Sequence, residues 1–123
     1  MLAWLLLPII AGVAGTWRTL TSRRVEREYA ARNVVATDGI VAGAESFTLT
    51  GTSGRALLLL HGSGDSPQTL RYLAERLNAA GYTVHAPLLP GHGRSPREFA
   101  QVRAADYMTT ARAALDVLRM RHG

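Results

Sequence analysis

The sequence predicts an α/β protein, and three observations carry that prediction. Residues 56–60 form a continuous apolar run bounded by glycine turns, which is typical of a strand buried on both faces of a parallel sheet. Apolar residues then recur at helical spacing up to Gly81, and a second strand follows at residues 82–86. A strand, a helix and a strand within this length form a crossover unit, so we expect both strands to lie parallel in one sheet.

An earlier strand is expected at residues 45–50, where the sequence alternates and is rich in Thr and Phe. Ser66 and Pro67 mark the start of the first body helix, as its N-cap and its first position. The apolar stripe of that helix consists of Leu70, Leu73, Ala74 and Leu77. Gly81 is the residue expected to end it, in the C′ position.

Residues 88–97 are rich in Pro and Gly and are interpreted as a loop. A last helix opens at Ala104 or Asp106 and continues to Arg121. One side of this helix carries Met108, Ala111, Leu115 and Leu118.

The amino-terminal segment, residues 1–20, is predicted to be a membrane anchor or a signal-like segment. Residues 1–17 contain no charge, and Trp4 and Trp17 suit the two membrane interfaces. A spanning helix needs about 20 apolar residues, with about 17 as the lower limit. The alternatives are a cleaved signal peptide, a buried helix and a misread start of the sequence. The small residues 12–14 favour the signal peptide, but no Lys or Arg precedes the apolar run.

Residues 21–43 are predicted to be a basic neck and linker, ahead of a body at residues 44–123. The stretch 18–32 carries five Arg and two Glu, a net +3, and we expect a solvated helix with Arg24–Glu28 and Glu28–Arg32 pairs. If the first segment is an anchor, the arginines keep the body in the cytoplasm, or attract anionic headgroups. If it is a signal peptide, the body is secreted.

Composition removes several classes of function. The 123 residues contain no Cys, which excludes disulfides, thiolate nucleophiles and Cys-ligated zinc. Of the net charge of +5, the stretch 18–32 carries +3, and no nucleic-acid-binding motif accompanies it. We therefore expect no nucleic acid partner.

Two short motifs stand in order along the body. His61-Gly62 follows the apolar strand, and Gly91-His92-Gly93 follows Pro87 after the second strand. With a helix of suitable length between them, this arrangement resembles the amino-terminal part of α/β-hydrolases. It is most similar to the bacterial carboxylesterase, monoacylglycerol lipase and lysophospholipase group, also grouped with serine-aminopeptidase-type hydrolases. The resemblance covers residues 46–122 and implies a partial α/β-hydrolase fold, with the first strands and helices of a mainly parallel sheet.

The loop at residues 61–65 has a chemical logic of its own. Ester hydrolysis builds negative charge on the carbonyl oxygen, and N–H groups aimed at that oxygen stabilise the transition state. A Gly-rich turn before a helix presents such donors. The resemblance implies that the N–H of Ser63 is the oxyanion-hole donor and that His61, Gly62 and Gly64 support the loop. Family members often carry a bulky residue, commonly Phe, where this chain has Ser63, so the chain departs from them at the acyl-pocket contact but keeps the N–H.

The resemblance also implies that Gly91, His92 and Gly93 lie at the rim of the active site. His85 is expected to be a packed or partly exposed strand residue, and His122 receives no role. The four histidines lack the spacing of a metal site. We therefore predict no metal and no cofactor.

The residues that would perform the chemistry are not found. A serine hydrolase of this family needs G-x-S-x-G, then Asp or Glu, then His, in that order, and no G-x-S-x-G occurs in the 123 residues. We assign no catalytic residue and expect a truncated hydrolase, which in complete form acts on carboxylic esters or acylglycerols and is inactive as this chain alone. The alternatives are a non-catalytic, membrane-anchored module that binds lipid or a partner, and one half of a split hydrolase. The strand at residues 57–60 would then present an open edge, where pairing with another chain is expected.

Overall fold

The computed structural model describes residues 2–122, and describes side chains from residue 7 onward. Met1, Gly123 and the side chain of Trp4, to which we assigned an interfacial role, lie outside the described residues. The elements follow in the order α1 (Leu2–Arg32), β1 (Phe47–Leu49), β2 (Ala56–Leu58), α2 (Arg71–Ala79), β3 (Thr83–Ala86), α3 (Pro96–Phe99) and α4 (Ala104–His122). A single 3₁₀ segment, Pro67–Leu70, leads into α2.

The three strands form one mixed sheet in the order β1-β3-β2. β2 and β3 are parallel, with Leu57 opposite Val84, as the crossover predicts. β1 is antiparallel to β3, with Phe47 opposite Ala86. The amino end of β1 therefore lies at the same sheet edge as the carboxyl ends of β2 and β3. The α/β class that the sequence predicts is confirmed.

The strands are shorter than the apolar runs that predict them. The run at residues 56–60 forms a strand only over Ala56–Leu58, and the ladder gains one further bond where Leu59 N–H donates to the His85 carbonyl at 2.9 Å. Among the described strands, β2 pairs with β3 alone, so its other side carries no strand. This open side is the edge that the sequence predicts.

The first body helix begins differently from the prediction and ends as predicted. Ser66 is extended, but its side chain makes no capping bond, and the chain enters α2 through the 3₁₀ segment. At the other end, Gly81 has a φ of 93°. Its N–H donates to the Asn78 carbonyl at 2.8 Å, and Tyr82 N–H donates to the Leu77 carbonyl at 3.2 Å. These two bonds form a Schellman motif.

The core is small and centres on β3. Its fully buried apolar residues include Val84 and Ala86 of β3 and Ala74 of α2. The prediction of one apolar side for α4 holds only in part, because Leu118 is 7% exposed whereas Met108 is 54% exposed. The carboxyl-terminal part of α4, with Leu115 and Leu118, lies against β2, whereas Tyr107 in the amino-terminal part contacts the ring of His92.

α1 is one continuous helix of 31 residues that joins the predicted anchor to the predicted neck. Within the described part of the chain, no helix is long and apolar enough to cross a membrane. The predicted Arg24–Glu28 pair is present at 2.8 Å, while Glu28 and Arg32 form no ion pair in the described residues. The Arg24 guanidinium lowers the pKa of the Glu28 carboxyl, first through their hydrogen bond.

Candidate oxyanion loop and its surroundings

Two loops leave the sheet at the edge where the parallel strands end. The first, residues 59–66, follows β2, and the second, residues 87–95, follows β3. In α/β sheets this edge is where ligands bind. The candidate residues that the sequence singles out, 61–64 and 91–93, all lie on these two loops.

The first loop leaves backbone donors without acceptors. Residues 62–65 form a turn that is closed by a 3.3 Å bond from Asp65 N–H to the Gly62 carbonyl. Ser63 stands exposed on this turn, and its N–H donates to no group of the described residues. An exposed, uncommitted N–H before a helical segment is what an oxyanion needs.

Gly64 is the position where this loop depends on glycine. Its φ is 74°, in the left-handed region, and a Cβ there would meet no atom within 4 Å. Gly62 has no positive φ and equally open surroundings. Of the two glycines expected to support the loop, Gly64 is therefore the one whose backbone conformation requires glycine.

His61 ties the first loop to the second. Leu89 N–H of the second loop donates to His61 Nε2 at 3.0 Å, and His61 Nδ1 lies 3.0 Å from the Gly62 carbonyl. A carbonyl oxygen can only accept, so Nδ1 carries a proton. Nε2 accepts a hydrogen bond and therefore carries none, so the imidazole ring is neutral. Burial lowers the pKa of His61, and the neighbouring His92 ring adds to this effect. Both nitrogens are engaged, so the imidazole holds the loop and is not free to act as a base.

His92 is enclosed by aromatic rings. Its ring centroid lies 4.8 Å from that of His61, 5.0 Å from Phe99 and 5.6 Å from Tyr107, always edge to face. Nδ1 lies 3.1 Å from the Pro90 carbonyl. Nε2 is buried and has no hydrogen-bond partner among the described residues. Leaving a buried acceptor without a donor lowers the stability of the fold by about 1–3 kcal/mol. The edge-to-face contacts between the rings, each worth about 0.5–1.5 kcal/mol, offset this loss.

The second loop is fastened to the segment that precedes β1. Val41 N–H donates to the Gly93 carbonyl at 2.7 Å, and Arg94 Nη1 donates to the Asp38 carbonyl at 2.9 Å. Gly93 has a φ of 59°, and a Cβ there would lie 2.8 Å from the Cβ of Ala44. The predicted linker is therefore packed against the predicted rim.

α1 reaches the same place. Glu26 Oε1 accepts a 2.8 Å bond from Arg97 N–H, in the first turn of α3. We call these contacts, from Glu26 to Arg97 and from residues 38–44 to Gly93 and Arg94, the neck clasp. It links α1 to the rim of the candidate site.

The short helix α3 is not predicted from the sequence, and it begins within the last two residues of the predicted loop, 88–97. Its signal was present, because Ser95-Pro96-Arg97-Glu98 is a capping box with Pro at the first position. Ser95 Oγ accepts from Glu98 N–H at 3.4 Å, and Glu98 Oε2 accepts from Ser95 N–H at 3.2 Å. A helix of four residues lacks the apolar periodicity on which we relied.

Comparison with known proteins identifies the family of this chain. A solved structure from work on two metagenome-derived lipolytic enzymes, LipS and LipT, superposes with a TM-score of 0.64 at 39% identity, over 68% of this chain and 34% of that one. A carboxylesterase of Bacillus subtilis (strain 168) is 41% identical over 61 residues, 50% of this chain and 24% of the relative. A thermostable monoacylglycerol lipase of Bacillus sp. (strain H-257) is 34% identical over 83 residues, 67% of this chain and 32% of the relative.

The chain thus spans about a quarter to a third of these relatives' lengths. The family model described as "Alpha/beta hydrolase family" matches residues 57–121, which is more than half of the chain. That match includes most of β2, all of β3, both loops and nearly all of α4. The chain belongs to the alpha/beta hydrolase family.

Proposed function

We propose that this chain supplies the amino-terminal portion, with the oxyanion loop, of a serine hydrolase that acts on carboxylic esters or acylglycerols. The observation that carries the proposal is the uncommitted N–H of Ser63 on the loop after β2. The names of two relatives, a carboxylesterase and a monoacylglycerol lipase, support the substrate class.

In the proposed reaction a serine hydroxyl attacks the ester carbonyl while the histidine takes its proton, and the carbonyl oxygen becomes an oxyanion. The oxyanion then collapses, the alcohol leaves with that proton, and water hydrolyses the acyl-enzyme. Ser63 N–H donates to that oxygen, and a second N–H comes from the residue after the nucleophile. One such donor contributes about 2.7–4 kcal/mol to the transition state. His61 positions this donor, since it fastens the loop through Leu89.

The proposal needs a nucleophile, an acid and a histidine from polypeptide outside these 123 residues, because no G-x-S-x-G occurs within them. The open side of β2 is where the strand that bears the nucleophile would pair. Two sources are compatible with this arrangement. The nucleophile strand either belongs to the same gene, read in any frame, or comes from a separate chain that makes a split enzyme.

The first test is on the chain itself. Residues 1–123 are expected neither to hydrolyse p-nitrophenyl esters nor to react with a fluorophosphonate probe. Labelling at a defined Ser of this chain would contradict the proposal. DNA beyond codon 123 and the neighbouring genes are then searched for G-x-S-x-G, and the polypeptide found is co-expressed with this chain. If no hydrolase-like remainder is found, a non-catalytic module that pairs through β2 becomes the better interpretation.

The second test is on the complemented enzyme. Ser63→Pro removes the N–H and should lower kcat about 10²–10³-fold with little change in KM. Ser63→Ala keeps the N–H and should stay within a few-fold of the unchanged enzyme. Equal effects of the two variants would contradict the assignment, and hydrogen exchange of the β3 amides in both variants shows whether each is folded.

A further inference from the structure

From Leu7 onward, the amino-terminal half of α1 exposes apolar side chains in more than one direction. Ile9, Ile10 and Val13 are each more than 60% exposed, and Trp17 is 74% exposed. Adjacent helical residues point about 100° apart, so Ile9 and Ile10 cannot share one narrow stripe. A helix that is apolar all round is usually buried, either in a core or in a membrane. The neck clasp holds only its carboxyl-terminal part.

A positively charged segment begins directly after the apolar one. No acidic residue precedes Glu26, whereas Arg18, Arg23 and Arg24 do. Glu26 accepts from Arg97 N–H, and Glu28 is paired with Arg24. We call the five arginines of residues 18–32 the neck arginines. In the portion of the chain that the structure describes, those other than Arg24 enter no ion pair; they are Arg18, Arg23, Arg27 and Arg32.

The charges favour a lipid surface over a second copy of the chain. Two parallel copies of α1 would bring like-charged arginines together, which is unfavourable. Two antiparallel copies would place the arginines of one against the apolar half of the other. Coiled-coil pairing also needs an apolar seam with a polar opposite face, which residues 7–17 lack. In an anionic bilayer, the hydrocarbon layer would accommodate the apolar half of α1, and the headgroups would bind the arginines of the other half.

The length of the apolar part sets the mode of contact. Residues 2–17 would span about 24 Å as a helix, at 1.5 Å per residue, against about 30 Å for the hydrocarbon core. Such a segment enters from one side, with Trp17 at the interface, where Trp is favoured, and the arginines among the headgroups.

We propose that the apolar half of α1 inserts into an anionic lipid bilayer and that the neck arginines bind its headgroups. The neck clasp ties the other end of α1 to the loop that carries Gly93. Insertion therefore holds the carboxyl edge of the sheet, with both candidate loops, near the bilayer surface. This inference is independent of the proposed function, because binding is measured without ester turnover.

Both tryptophans of the chain, Trp4 and Trp17, belong to α1, so tryptophan fluorescence, excited selectively, reports on this helix alone. The full 123-residue chain with Trp4→Phe is mixed with vesicles of phosphatidylcholine, with or without phosphatidylglycerol. We expect a blue shift of Trp17 emission and co-sedimentation with the anionic vesicles, and much weaker effects with the neutral ones.

Two sets of variants separate the charged and apolar contributions. The triple variant Arg18→Gln, Arg23→Gln, Arg27→Gln should weaken partitioning about a hundredfold, at roughly fivefold for each arginine. A matched control removes three exposed arginines of the body, as Arg76→Gln, Arg112→Gln, Arg119→Gln, and should stay within about threefold. Ile9→Glu with Val13→Glu should abolish the blue shift.

Three outcomes would overturn the proposal. The first is the absence of a blue shift with anionic vesicles. The second is an equal loss of binding in the neck triple and the body triple, which would make the attraction one of net charge alone. The third is emission already blue-shifted in buffer and dependent on protein concentration, which would show that a second copy covers α1.

Discussion

The two loops at the carboxyl edge of the sheet differ in how they are held. Residues 62–65 of the loop after β2 are exposed and are closed only by the turn bond from Asp65 N–H to the Gly62 carbonyl and by the contact of His61 Nδ1 with that carbonyl. The loop after β3 is fastened by Leu88 N–H to Ser46 Oγ at 2.8 Å, by Leu89 N–H to His61 and by the neck clasp. Free N–H groups are useful for an oxyanion only if their loop is placed correctly. The fastened loop therefore provides the support, and the open loop provides the donors.

The largest effect is expected when one methyl group is added to each loop, which tests whether the loop after β3 is held more tightly than the loop after β2. Gly93→Ala should destabilise the fold by about 2–4 kcal/mol, because the left-handed backbone and the contact with Ala44 both oppose a Cβ. Gly64 has a φ similar to that of Gly93, but a Cβ there would meet no neighbouring atom. Gly64→Ala should therefore lower the free energy of unfolding by only about 1–2 kcal/mol. Hydrogen exchange of the β3 amides, followed by mass spectrometry, measures both. Equal costs would mean that the two loops are equally held.

The tie between the loops is tested at His61. His61→Ala leaves the Leu89 N–H without its acceptor and should cost about 2–3 kcal/mol. It should also raise exchange in both loops. Ser63→Ala is the matched control in the same loop, and should change stability by less than about 0.5 kcal/mol because the side chain is exposed. Faster exchange in the first loop alone would contradict a tie between them.

Acid should weaken the fold through two histidines. Burial is the main cause that lowers the pKa of both His61 and His85 in the folded chain. The folded state then binds fewer protons than the unfolded state, whose histidines titrate near 6.5. Stability should therefore be constant above about pH 7.5 and fall as the pH drops through 6.5. Urea midpoints from pH 8 to pH 5 check this, and His61→Gln should remove the part of the loss due to His61 and leave the part due to His85.

The smallest expected effect sharpens the role of the clasp. Glu26→Gln keeps an acceptor for Arg97 N–H but removes its charge, and should cost about 0.5 kcal/mol with faster exchange at the Arg97 amide. Glu28→Gln is the matched control on the same helix, since it affects an exposed pair with Arg24. An equal response of the Arg97 amide in both variants would show that the clasp is not specific.

The sequence predicted those features of the fold that depend on interactions between residues close together in the chain. The apolar run of β2 and the left-handed Gly81 each follow from a few neighbouring residues. The neck clasp does not, because Val41 and Gly93 meet only after β1 has paired with β3. The same is true of His61, since the motif indicated a loop organiser but not that Leu89 is its partner. The exposed Met108 shows the converse, because helical spacing predicts a buried side chain only where another element covers it.

The direction of β1 has a practical consequence for labelling. Because β1 is antiparallel to β3, the turn between β1 and β2 lies at the sheet edge opposite both candidate loops. Gly54 in that turn has open space around it, whereas a side chain at Gly51 would collide with the Gly81 carbonyl. An epitope or fluorophore inserted between Ser53 and Gly54 would thus leave the candidate loops and α1 uncovered. Complementation and vesicle binding could then be followed on one tagged chain.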